Sequence, residues 1–263
     1  MRRSPDKRRM KPKGQPVKQT TLLTALVVLV ATLVAGCGSS GEKVGASSEK
    51  AEKTHAPNID PSDFVDEVDN KYFPLEPGTT FVYEGKDEEG FERIEVTVTN
   101  DTKRVMGVDC VVLRDRVWID GKLVEDTFDW HAQDKEGNVW YFGENSREIE
   151  NGEVVSTEGS WEAGVDGAEP GILIKADPKV GETYHQEYYP GEAMDMGKVL
   201  SLDESATVSY GSFDHLLMTK DWNPLEPADG VAHKYYAPGI GKIQEVYVEG
   251  PAEKVELIDV EKG

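Results

Sequence analysis

A period of two, broken at short intervals by glycine-containing turns, restricts this chain to hairpins. Ile94, Val96 and Val98 alternate with Arg93, Glu95, Thr97 and Thr99. Successive strand side chains point to opposite faces, so the segment predicts a strand with one face inward and one wet. Val111, Leu113, Val117 and Ile119 repeat the parity, interrupted by Asp115, where a bulge is expected. Asp120-Gly121, Glu136-Gly137-Asn138 and Asn151-Gly152 lie between apolar segments and supply the positive φ of tight hairpins. Further strands are expected at 181–189, 196–202, 206–210, 213–220, 231–237, 242–249 and 254–260. No long stretch has a helical period; residues 62–70 are expected to form a short helix capped by Ser62. The fold class that follows is all-β and mainly antiparallel, a strongly curved sheet or incomplete β-barrel of about ten to twelve strands. Its edges are expected to be closed or buried, because open strand edges aggregate.

The N-terminus carries a different signal. Leu22 to Ala35 is apolar apart from Thr24 and Thr32, and it follows Arg2, Arg3, Lys7, Arg8, Arg9, Lys11, Lys13 and Lys18. A basic region, an apolar region and small residues before a cut site stand in secretory order. Residues 22–35 are shorter than the roughly 20 apolar residues that cross a bilayer. Leu33-Val34-Ala35-Gly36-Cys37 resembles the lipobox of bacterial lipoproteins. The resemblance implies that Cys37 is acylated, that the leader is cut before it, and that the protein is lipid-anchored on the extracytoplasmic face of the cell membrane. Arg2-Arg3 and Arg8-Arg9 raise a twin-arginine export route, but no apolar pair follows either, which favours the general secretory route. Each buried acyl methylene contributes about 0.8 kcal/mol, so several chains anchor stably without a spanning helix.

Three regions follow: a leader over 1–36, a tether over 37–60 and a β-rich domain over 61–263. The tether is rich in Gly, Ser, Ala, Lys and Glu, a composition that cannot bury enough surface to order itself. A flexible linker of that size spans on the order of 25 Å.

Residues 1–36 hold eight of the 29 basic residues and one of the 50 acidic ones, leaving 21 against 49 and a formal charge of −28. That excludes nucleic acid and anionic membrane surfaces as partners, since phosphate binding rests on Lys and Arg. The acidity is expected to serve solubility first, ahead of a salty medium or attraction to a cation or basic polymer. Cys37 and Cys110 are the two cysteines. If Cys37 carries lipid there is no disulfide, and Cys110 is expected to be a buried strand thiol.

Catalytic signatures are absent. There is no Gly-x-Ser-x-Gly elbow, His-Glu-x-x-His, Walker loop or Cys-x-x-Cys. His131, His185, His215 and His233 fall on different expected strands or edges, and neighbouring Asp214 and His215 would point to opposite faces. Asp134-Lys135-Glu136-Gly137-Asn138 is similar to the opening of a calcium loop but lacks the distal glutamate, and is expected to be a solvated hairpin turn. No cofactor and no metal are expected. With this many acids, no carboxylate pair for glycoside hydrolysis stands out. Aromatics are more suggestive: Trp130, Trp140, Trp161, Tyr184, Tyr188 and Trp222 are candidates to line a groove for an apolar or sugar ligand, or else to fill a sheet core. The irregular segment from Glu158 to Asp177 is the expected place for a binding mouth.

Two internal echoes occur. Gly78-Thr79-Thr80-Phe81 matches Gly181-Glu182-Thr183-Tyr184 as Gly-x-Thr-aromatic, and Pro74-Leu75-Glu76-Pro77 recurs as Pro224-Leu225-Glu226-Pro227. Shared turn chemistry accounts for both more readily than duplication. Asn70-Lys71-Tyr72-Phe73-Pro74-Leu75-Glu76-Pro77-Gly78-Thr79 and Tyr235-Tyr236-Ala237-Pro238-Gly239-Ile240-Gly241-Lys242-Ile243 resemble turn motifs of secreted bacterial β-rich lipoproteins of uncharacterised function. Some relatives are similar to half-barrel lipoprotein carriers, which implies a concave apolar face and brings no catalytic residue. The function expected is non-enzymatic binding of a hydrophobic or amphipathic small ligand. The alternatives are an acidic module that binds a protein partner and a cell-wall hydrolase.

Overall fold

The computed structural model describes residues 55–86, 90–250 and 253–263. The leader, Cys37 and the chain as far as residue 54 lie outside the described residues, as do 87–89 and 251–252. No helix among the described residues is long and apolar enough to cross a membrane.

Two runs of antiparallel strands make the sheet. Thr79–Lys86, Phe91–Val105, Val108–Ile119, Lys122–Asp134 and Val139–Asn145 pair in sequence order, and Glu169–Ile174 joins the last of them. Met196–Val208, Gly211–Trp222, Val231–Ala237, Gly241–Glu249 and Lys254–Lys262 form the second run, whose last strand pairs with Thr79–Lys86. Between the runs one bent segment serves both sides. Thr183–His185 pairs with Met196–Val208, and Glu187–Tyr188 pairs with Glu169–Ile174. The result is an almost closed antiparallel barrel with one unsealed seam, where 171–174 and 183–185 run without a shared ladder.

Gln186 stands at the bend. Its Nε2 donates to the Leu173 carbonyl across the seam at 3.4 Å. A Cβ at Gly171 would lie 2.2 Å from the Gln186 carbonyl oxygen, so the backbones approach this closely only because residue 171 has no side chain.

The hairpins follow the turn chemistry. Asp120-Gly121 and Asn151-Gly152 have positive φ at both residues, as a two-residue turn that matches strand twist requires. Met106-Gly107 adopts the same geometry, which its sequence does not announce.

Two expectations are corrected. Residues 62–70 do not form a helix: Pro61–Asp63 is a single 3-10 turn, and Asp60 rather than Ser62 caps it by accepting from the Ser62 N–H at 2.9 Å. Phe64–Val65 then pairs with Asp134 and Gln133, and Val68–Asn70 pairs with Phe73–Leu75. Extended backbone wins there because Phe64 packs against Trp140 and Phe142. Asp115 makes no bulge either. It stays in register with Val96 and Thr127, while the shifts occur between Val98 and Thr102 and between Val117 and Trp118.

Apolar side chains bury on both faces of the sheet. Phe81, Tyr83, Val98, Leu113, Val199, Leu217, Ile243 and Leu257 fill one core cluster. Cys110, Val112, Trp130 and Ala132 are out of phase with Leu113 and belong to a second cluster, covered by Trp161, Ala163 and Ala168. The segment expected to form a binding mouth is thus divided, with Trp161, Ala163 and Ala168 in this second cluster and Ile174 buried in the first. Burial pushes the Cys110 thiol up to about 12, which leaves it an inert packing group.

Candidate functional site: an acidic cavity in the barrel

Strand parity decides what faces inward. On Val108–Ile119, Leu113 points into the barrel, and two residues on so does Asp115. On the next strand Asp129 lies opposite Leu113, and His131 lies opposite Val111. On Val139–Asn145, Glu144 lies opposite Asp129 and Tyr141 opposite His131. Directly opposed residues of an antiparallel pair share a face with Cβ atoms about 5 Å apart, and diagonal ones are about 7 Å apart. Asp115, Asp129 and Glu144 therefore form an acidic row across three adjacent strands.

Asp115 and Asp129 of this row border a cavity of about 230 Å³. Phe81, Tyr83, Leu113, Leu173 and Ile240 give it an apolar part; Asp115, Asp129, His131, Glu187, Asp195, Lys234 and Lys242 give it a charged and polar part. The ribbon Val68–Asn70 and Phe73–Leu75 lies at one end, where Phe73, Pro74 and Leu75 contribute to the lining. A second hollow of about 160 Å³, lined by Trp222, Glu226, Asp229 and Tyr247, shares Gln186, Asp195 and Lys234 with the first.

The two lysines of the wall already have partners. Lys242 pairs with Glu245 at 2.8 Å, and Lys234 pairs with Asp221 at 3.3 Å and Glu245 at 3.8 Å. Burial opposes ionisation of Glu245, but the two ammonium groups outweigh it and hold the carboxyl at about 2. The other acids are placed differently. Burial, with Asp129 nearby, pushes Asp115 up to about 8. Burial and neighbouring carboxyls also raise Glu144, Glu187 and Asp195. Asp129 is raised by burial although the Tyr141 hydroxyl donates to it at 2.6 Å. Asp115, Asp129, Glu187 and Asp195 retain some accessible surface because they border the hollow, yet protein surrounds them, and that enclosure sets their ionisation.

Two polar atoms at the cavity have no hydrogen-bond partner, Asp115 Oδ1 and His131 Nδ1. His131 is only 4% exposed, and burial pushes it down to about 3, so it is a neutral imidazole stacked on the Tyr141 ring.

None of the six aromatics singled out from the sequence lines the main cavity. Trp130 and Trp161 are buried in the second core cluster, with Trp140 packed against it. Tyr184 is buried in the first cluster. Tyr188 forms a ring cluster with His55 and His185, at centroid distances of 4.8 and 5.0 Å. Trp222 lines the smaller hollow.

The Asp134 carboxylate accepts from Asn138 N, Asn138 Nδ2 and Trp140 Nε1 at 2.8 to 2.9 Å, holding the hairpin turn closed. Among the described residues no three His, Cys, Asp or Glu side chains are placed to hold a metal ion. His215 pairs at the surface with Asp203, not with Asp214.

No protein-family model matches the chain, and no curated protein matches it. One solved structure is similar: a Bacteroides fragilis protein described as exported, with a YmcC-like fold. It is 14% identical, the match covers 73% of this chain and 100% of that one, and the TM-score is 0.44.

The inward acids carry a weak sequence signal that parity reasoning passes over. Asp115 occupies the phase of Val111, Leu113 and Val117, which the pattern treats as an interruption. A carboxylate in phase with a buried face signals an enclosed polar site when the strand keeps its register.

Proposed function

We propose that this protein is a lipid-anchored extracytoplasmic lipoprotein that binds a small amphipathic ligand inside its barrel and does not act on it chemically. One observation carries the reading: the barrel encloses a cavity of about 230 Å³ with an apolar part and a carboxyl-lined part, the division expected of a site that orients a two-ended ligand. The leader and Cys37 supply export and attachment. The cavity lies just below the range of roughly 300 to 1,000 Å³ typical of drug-sized ligands, which favours a small molecule over a wall polymer. No cofactor or nucleic acid enters the reading.

The test is native mass spectrometry of the protein released gently from the membrane of its source. A bound species lost on denaturation supports it. Ligand-free protein that also fails to gain thermal stability from any member of a library of small amphiphiles would turn the search to protein partners.

A further inference from the structure

The composition of the cavity specifies one end of the ligand. Glu245 and Asp221 take up the ammonium groups of Lys234 and Lys242. Among the described residues, no ion pair reaches Asp115, Asp129, Glu187 or Asp195. The cavity wall thus holds acidic groups in excess of its cations. Asp115 Oδ1, enclosed and without a hydrogen-bond partner, and His131 Nδ1, on an imidazole almost fully buried at the same wall, add two unused polar atoms. Buried polar groups are rarely left unsatisfied unless something else satisfies them. Among the described residues no three of the acids are placed to hold a metal ion together, which suits an organic cation with several N–H donors better than a metal.

Resting on the ligand-binding reading above, we infer that the ligand is an organic amine. Its ammonium group sits between Asp115 and Asp129, and its apolar body lies against Phe81, Leu113 and Ile240. The ammonium donates to the Asp115 and Asp129 carboxyls, beside the unpartnered Asp115 Oδ1 and the neutral imidazole of His131. Binding requires the receiving carboxyls to ionise, so protons leave as the amine enters. Asp129, Lys242, Glu125, Glu92 and Tyr83 are the titratable groups that face Asp115, and Lys242 is the cation among them.

Isothermal titration of the full chain with n-hexylammonium, n-hexanol and hexanoate tests this. Hexylammonium is expected to bind about tenfold or more tighter than hexanol, with hexanoate weakest. Between pH 6.5 and 8.5 its affinity is expected to rise on the order of tenfold, with proton release visible as a buffer-dependent heat. Asp115→Asn and Asp129→Asn are each expected to weaken hexylammonium and leave hexanol unchanged; should one fail to fold, the other and the unmodified chain still decide. Hexanol binding as tightly as the amine overturns the ammonium assignment but leaves a ligand cavity standing. If none of the three binds, the assignment also fails, and the mass spectrum of protein from its source then decides the broader reading separately.

Discussion

The N–H of Gly239 donates to the carbonyl of Lys71 at 2.7 Å. This bond joins the two turn motifs that resemble secreted lipoproteins, one near each end of the described chain. Phe73, Pro74 and Leu75 from the first and Tyr236, Ile240 and Lys242 from the second line the same cavity. Their shared job is structural closure of the hollow where the acids lie.

Glu245 holds two ammonium groups at once, so Glu245→Gln is expected to destabilise the fold by about 3 kcal/mol, because it leaves enclosed lysines without their countercharge. Urea unfolding measures it. A loss below about 1 kcal/mol would mean that water, not Glu245, balances these lysines.

Asp115 titrates at about 8 in the fold against 3.8 ordinarily. A carboxyl that holds its proton more tightly when folded favours the native state fully below its unfolded value and loses that advantage as pH rises through the folded one. Stability should therefore decline from near pH 4 to pH 8 on account of this group. Glu245 works in the opposite sense, its stabilisation being lost as pH falls from 4.5 toward about 2. Asp115→Asn is expected to gain in melting temperature over the unmodified chain as pH climbs from 5 to 9. An equal gain at every pH would show that Asp115 is ionised throughout.

Gly171→Ala places a methyl group 2.2 Å from the Gln186 carbonyl, backbone that cannot swing aside. The expected cost is about 2 to 3 kcal/mol. Amide exchange should quicken most at Glu187 and Tyr188, which pair with Pro170 and Glu169. Unchanged exchange there would place the strain elsewhere.

Trp161→Ala removes the largest side chain with which the irregular segment covers the second core cluster. A loss of about 3 to 5 kcal/mol is expected from burial of this kind. Ligand affinity should stay constant, since Trp161 does not line the cavity. A drop in affinity at preserved folding would extend the binding site from Leu173, which lines the cavity, to the Trp161 end of this segment.

Cys37→Ser tests anchoring. The unmodified chain should partition into the detergent phase and the variant into the aqueous phase, because acyl chains at about 0.8 kcal/mol per methylene dominate the transfer. Equal partitioning would remove lipidation from the account.

Local patterns reached far into the fold. The strand at 231–237 occurs as expected, and 196–202 and 206–210 merge into one strand, Met196–Val208, because Glu204 between them still pairs with Leu216 across two register shifts. The Gly-x-Thr-aromatic echo is structural: Gly78 donates to the Val98 carbonyl and Gly181 to that of Val199, both at 2.8 Å. The proline echo is not. Leu75 is buried, while Leu225 is exposed in a loop. The aromatic signal led to the second cluster and the smaller hollow instead of the main cavity, because bulky rings serve equally well in packing and in binding.

The sequence by itself determined the antiparallel class and several of the hairpin turns, since side-chain alternation and positive-φ residues act within a few positions of one another. Only the tertiary structure decided where the barrel leaves its seam unsealed, that Gln186 bridges that seam, and that Asp115, Asp129, Glu187 and Asp195 line one hollow. The reason is physical. What a carboxyl does depends on which charges surround it and how far water is excluded, and both are set by strands that meet across the barrel and lie far apart in the chain.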